Sequence, residues 1–311
     1  MFGFLSRMKV WQKLLMISAA FTLPILMLLY LIVHVTNKDI DFAQWEIFGN
    51  AYQRPLEDLL ELVPQHMSLA QRLLNGDETA KGELSGLQNK IDSALTSLDA
   101  VDAKLGTVLK FTDEGFASRK KENVKPSTVR KQWQDIKDKL SGLKPDDCND
   151  RHDNLISSVN KMITYAGDTS NLILDPDLDT YYLMSDTLLS IPQNQNRIPT
   201  VIAYGADILR RKAITNAERI QLEVHAALLK QSDLDSISSN LGTALTEDVN
   251  FPPNGNGTCE SFQKNVPPAF QEYVGAAEAF NNLILNAQIG FCNRSFNFCR
   301  RLLCSRGRAL S

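Results

Sequence analysis

Beyond Val33 this chain has no second long apolar run: nothing in the following 278 residues compares with the twenty uncharged residues from Leu14 to Val33. Alternation of apolar and polar residues, the mark of half-buried strands, is also nearly absent, which argues against a β-rich fold. There is no Gly-rich phosphate loop, no Gly-x-Ser-x-Gly elbow and no His-Glu-x-x-His motif, so nothing points to nucleotide, ester or zinc-peptidase chemistry. Histidine is scarce, and His34, His66, His152 and His225 are scattered, none of them beside another His or a Cys in the spacing of a metal motif. These absences favour a binder over an enzyme, with no cofactor and no nucleic-acid partner expected.

The one apolar run is long enough for its task. At about 1.5 Å per residue a twenty-residue helix spans the roughly 30 Å apolar layer of a bilayer. A cleaved signal peptide usually has an apolar region of only about 7 to 15 residues and a small-residue cleavage site. Here the exit reads His34-Val35-Thr36-Asn37-Lys38, so an uncleaved membrane helix is expected. Pro24 inside it is tolerable, because proline is commoner in membrane helices than in soluble ones. Arg7, Lys9 and Lys13 precede the run, whereas Lys38 follows among Asp39, Asp41 and Glu46. By the positive-inside rule residues 1–13 stay in the cytoplasm, residues 14–33 cross, and the bulk lies outside, in the periplasm of a bacterial inner membrane.

Apolar residues then recur at steps of three and four: Tyr52, Leu56, Leu59, Val63, Met67, Ala70 and Leu74; Leu87, Ile91, Leu95, Leu98, Val101 and Leu105; Val129, Trp133, Ile136, Leu140 and Leu143; Leu155, Val159 and Met162. Thr215-Asn216-Ala217-Glu218 reads as a capping box, and Asp175-Pro176 as a helix start with Asp at the cap. Turns are expected at Asn75-Gly76-Asp77, Thr112 to Pro126, Lys144-Pro145-Asp146-Asp147 and Phe251 to Gly257. The fold class is therefore all-α: one N-terminal transmembrane helix followed, over residues 35–280, by an elongated antiparallel helical bundle, as one long module or two stacked ones, its first helix continuing from the membrane segment. No segment offers the unbroken heptads of a coiled-coil stalk.

Few residues invite chemistry. Asp175, Asp177 and Asp179 are weak candidates for a hard cation, but an EF-hand counted from Asp175 would need Gly where Thr180 stands, and acids in a first helical turn also serve the helix dipole. Arg197, Arg210, Arg211 and Lys212 cluster on one predicted helix and could hold a carboxylate or another small anion, with a solvated face as the alternative. Cys148 and Cys259 both fall in predicted loops, where an oxidising compartment would allow a disulfide.

Asn171-Leu-Ile-Leu-Asp-Pro-Asp-Leu-Asp-Thr-Tyr-Tyr-Leu-Met184, followed by Ile191-Pro192-Gln193, resembles a segment of the periplasmic helical sensor regions of bacterial methyl-accepting chemotaxis proteins. Gly49-Asn-Ala-Tyr52, Pro55-Leu56 and His66 fit the same group, and the likeness covers roughly residues 8 to 280. It implies a homodimer whose helices shift when a small ligand binds outside; related regions also serve histidine kinases and diguanylate cyclases. Tyr181 and Tyr182 join the candidate ligand contacts, with core packing as the alternative. An exterior enzyme using the three aspartates with a metal, or a scaffold without ligand, are the readings from other classes.

The chain departs from that family after Glu278. No acidic residue follows, and residues 281–311 form a tail with Arg294, Arg300, Arg301, Arg306 and Arg308 beside Cys292, Cys299 and Cys304. The second membrane helix, the HAMP relay and the methylated hairpin of a transducer are not found. A shifted or prematurely ended reading frame is the expectation, and a basic tail touching anionic lipid is the alternative.

Overall fold

The computed structural model describes residues 9–121, 124–250 and 258–290, with the backbone alone for 287–290. The expected turn from Phe251 to Gly257 and most of the tail lie outside the described residues. Among those described there is no strand.

Helix α1, Val10–Leu74, is unbroken over 65 residues. The chain divides after Phe48 into two units. In the first unit the apolar side chains from Leu14 to Val33 are exposed, as at Phe21 (70%) and Leu23 (66%), and this is the one described helix long and apolar enough to cross a membrane. A surface of this kind is costly in water and at home among lipid tails.

The second unit, from Gly49, contains two bundles. The first bundle takes the rest of α1 together with α2 (Ala80–Leu105), the short α3 (Asp113–Ser118), α4 (Pro126–Lys139) and α5 (Pro145–Thr169). Its pairings run antiparallel. Tyr52 and His66 of α1 meet Asp102 and Gln88 of α2, while His66 and Gln71 meet His152 and Asn149 of α5, each partner receding as α1 advances. The helical stripe on α1 buries as its spacing requires, from Tyr52 and Leu56 at 0% exposure to Met67 at 2%, and Trp133 and Val159 close the core from α4 and α5. Each such leucine contributes about 1.5 to 3 kcal/mol over leaving it in water. Gly49 is required by a close approach, since a Cβ there would sit 2.1 Å from Ser170 Oγ.

Two expected turns begin helices instead. Thr112 caps α3 by accepting from the Gly115 N–H, and Pro145 opens α5 with Asp146 and Asp147 in its first turn. Proline needs no donor at that position, and the acids complement the helix dipole.

The second bundle follows a left-handed residue, Asn171 (φ 64°), and a single 3₁₀ turn at Leu172–Leu174. It holds α6 (Leu178–Ser185) running through a π-helical turn, Asp186–Ser190, into α7 (Ile191–Arg211); α8 (Asn216–Ala227) running through a longer π turn, Leu228–Leu234, into α9 (Asp235–Asn250); and α10 (Glu260–Gly290). The first π turn precedes Pro192, whose ring would clash with the carbonyl four residues back in a regular helix; widening the turn relieves this, and the Ile191 N–H reaches Asp186 O, five residues back. In the second, Leu229, Asp233 and Leu234 all turn inward, which four- and five-residue steps allow only in a wide turn. Thr215 and Glu218 form the expected capping box at the start of α8.

Candidate functional site

The arginine cluster separates on folding. Arg210 and Arg211 are both held by Asp207 at 2.6 and 2.8 Å, and Arg211 also reaches Glu218 at the start of α8, so their charges are matched at the surface. Arg197 instead turns inward, donating from Nε to Asp233 Oδ2 at 2.7 Å and from Nη2 to Asp233 Oδ1 at 3.3 Å. Asp233 is fully buried, and this forked pairing is what lets a carboxylate stay there.

A polar layer grows from that pair. Asn194 donates to Asp233 at 3.4 Å and accepts from the Tyr273 hydroxyl at 2.8 Å, which links α7, the second π turn and α10. Buried Asp186 in the first π turn accepts from Asn240 of α9 at 2.7 Å. Burial pushes the Asp186 carboxyl up to about 6 against the bonds from Asn240 and Ser190, and pushes the Tyr273 phenol up to about 12, aided by the charges of Asp233 and Asp186. Both π turns thus present an acid to the interior.

Tyr181 and Tyr182 stack edge to face on α6, 5.5 Å apart, with Tyr181 exposed at 41%. Asp175 is not the cap of α6. Its carboxylate closes a turn by accepting from the Asp177 N–H at 3.0 Å and the Thr180 hydroxyl at 2.8 Å, and the helix starts two residues later with Asp177 at the cap. Asp179 is buried at 8% exposure. Among the described residues no three His, Cys, Asp or Glu side chains converge as a metal would need.

The disulfide between Cys148 and Cys259 is not formed. Cys148 lies in the first turn of α5, not in a loop, and is buried with Ala70, Leu84 and Leu140 in the first bundle, whereas Cys259 is exposed beside Asp248 in the second. Burial pushes the Cys148 thiol up to about 12, which removes it as a nucleophile.

Two of the four histidines, far apart in sequence, come together in space. His66 Nδ1 and His152 Nε2 meet at 2.8 Å in the core of the first bundle, with Trp133 edge-on to His66. The proton positions follow from the ends of the chain. His152 Nδ1 lies 2.7 Å from Cys148 O, which can only accept, so Nδ1 donates and Nε2 accepts from His66 Nδ1–H. His66 Nε2 is then the acceptor facing Gln88 Nε2 at 3.3 Å. Both rings are neutral and oriented, and burial lowers His66 to about 3, helped by His152, and His152 to about 4 despite the Cys148 carbonyl. The spacing of Cys148 and His152, four apart on one helix face, was the available clue; the crossing to His66 left none.

No family model, no curated protein and no solved structure matches this chain.

Proposed function

We propose that this chain is the membrane-anchored sensor region of a chemotaxis receptor, binding a small ligand in its extracytoplasmic helical body. The observation that carries the reading is α1: one unbroken helix holds both the exposed apolar stretch Leu14–Val33 and the core stripe from Tyr52 to Ala70. A ligand that favours one packing of the body therefore acts on the element that enters the lipid, which is the differential binding that signalling requires. The likeness of Asn171–Met184 to chemotaxis sensor regions supports the same class. In this reading the N-terminus is cytoplasmic, the body is periplasmic, the working unit is a homodimer, and the buried polar layers serve binding and not catalysis.

The test is a thermal-shift screen of amino acids, organic acids, amines and other small metabolites on the full chain in lipid nanodiscs, followed by tryptophan fluorescence. A true ligand at a hundred times its Kd stabilises the folded state by about 2.7 kcal/mol. A broad screen in which no compound moves the transition would sink the sensor reading and favour a scaffold.

A further inference from the structure

At the end of the apolar run, α1 carries a stripe that nothing in the chain covers. Val33, Ile40 and Ile47 stand seven residues apart on one helix face, exposed at 57%, 59% and 60%. Thr36 and Ala43, both exposed, fill the positions between them. Phe42 and Trp45 fall on the opposite face, at about 100° per residue, and are partly covered. Further along, the same register brings Arg54 and Glu61, exposed and charged as a face in water should be. The bare apolar seam is thus confined to residues 33–47, where Lys38, Asp39 and Asp41 beside it mark an aqueous setting. A single exposed apolar side chain is ordinary, but three in line between charges form a face for a partner.

The spacing selects that partner. A repeat of seven keeps a seam turned towards one neighbouring helix, and β-branched side chains at its leading position suit a parallel two-stranded coil. Thr36 and Ala43 are small enough to let two backbones approach. In that register Asp39 of one helix faces Gln44 of the other, a carboxylate acceptor against an amide donor, so the flanks match as well as the seam. Arg54, next in line, would face its own copy and closes the contact at that end.

We propose that this seam is a contact between two copies of the chain, packed parallel, with Val33, Ile40 and Ile47 each meeting its counterpart. The proposal deepens the sensor reading by giving its homodimer a surface, and rests on that reading for α1 as a membrane anchor. Two copies inserted the same way in one bilayer can lie only parallel along this stretch. The seam is shorter than a free coiled coil needs, and the shared bilayer makes up the difference by raising the concentration of one copy around the other.

Förster transfer tests it, between full chains labelled at the N-terminus with donor or acceptor, reconstituted in phosphatidylethanolamine and phosphatidylglycerol vesicles and diluted with lipid. Ile40→Lys and Ile40→Glu should each weaken association about tenfold or more, because like charges then face each other across the seam. Mixing the two variants should restore it, since Lys then faces Glu. Asp41→Arg, off the seam, should leave it unchanged. A wild-type chain that dilutes apart as readily as Ile40→Lys overturns the proposal, as do single variants that associate like wild type or a mixture that does not recover. A monomeric wild type whose melting temperature falls on Ile40→Lys would mean that another segment of the same chain covers the seam, and also overturns it. If metabolites shift the melting transition while transfer is blind to residue 40, the sensor reading survives and this surface falls. If residue 40 governs transfer and no metabolite shifts the transition, the surface stands and the sensor reading falls.

Discussion

The two bundles of the body solve the problem of a polar interior in opposite ways. The twelve largest fully buried side chains all lie between Tyr52 and Ile156, in the first bundle. There the interior polar groups are neutral, and the histidine chain ends on a backbone carbonyl that can only accept. The second bundle buries fewer large side chains and more charge: Asp233 with Arg197, Asp186 with Asn240, and a bare acceptor at Asn281. Its helices carry the two π turns, which occur where a helix departs from its best packing, often at functional sites. The first bundle is held chiefly by apolar packing, the second also by paired charge. Each bundle also leaves buried polar atoms without a hydrogen-bond partner, Gln53 Nε2 in the first and Asn281 Oδ1 in the second among them.

The contrast can be attacked first at its firmest point. Trp133→Ala removes an indole at 1% exposure, strips Asp92 of a 2.7 Å bond and opens space beside His66; we expect a loss of about 4 kcal/mol, read by chemical denaturation followed by far-ultraviolet circular dichroism. A loss under about 1 kcal/mol would mean the first bundle is not the tightly packed half. In the second bundle, Asp233→Ala leaves Arg197 half-buried and unpaired and should cost about 3 kcal/mol, while the double change Asp233→Leu with Arg197→Met should recover most of it. No recovery in the double variant would show that the pair does more than satisfy itself.

pH separates the halves with opposite signs. His66 and His152 ordinarily take a proton near 6.5 but in the folded state resist to about 3 and 4, so the unfolded chain binds more protons between those limits. Stability present above pH 6.5 is therefore lost as pH falls towards 4, at up to about 1.4 kcal/mol per unit for each histidine. Asp186 runs the other way. Folded it keeps its proton to about 6, unfolded only to 3.8, so the second bundle loses stability as pH rises across that window, and Asp186→Asn should remove the effect. Denaturation midpoints from the emission of a Trp11→Phe, Trp45→Phe protein, in which Trp133 alone remains, that rise on acidification would break the contrast. The smallest effect belongs to the exposed arginines: Arg210→Ala and Arg211→Ala should each change stability by no more than about 0.5 kcal/mol, because surface pairs are screened.

How much of this could be read beforehand follows the same division. The α1 stripe was legible because one periodic helix face records one apolar neighbour, and the capping box because its two residues act within a single turn. Asp175-Pro176 misplaced the α6 start by two residues, since an aspartate that caps and one that closes a turn have the same local signature. The polar layer was illegible, apart from Arg197, for a plainer reason. Asn194 and Asp233 are 39 positions apart and Asn194 and Tyr273 are 79 apart, and no local pattern announces a partner at that distance. The π turns depend on the same tertiary partners.

Each π turn also acts as an extra residue stored in its helix. Because a helix advances about 1.5 Å and rotates about 100° per residue, the faces of α6 and α7 do not share one stripe but are phase-shifted across Asp186–Ser190. Deleting the exposed Leu189 would restore a regular helix and swing everything on one side of it by about that angle, a large re-aiming from the shortest possible lesion. The fold thus contains a vernier: a place where one step of register converts a small axial slip into about a quarter-turn of the helix face beyond it.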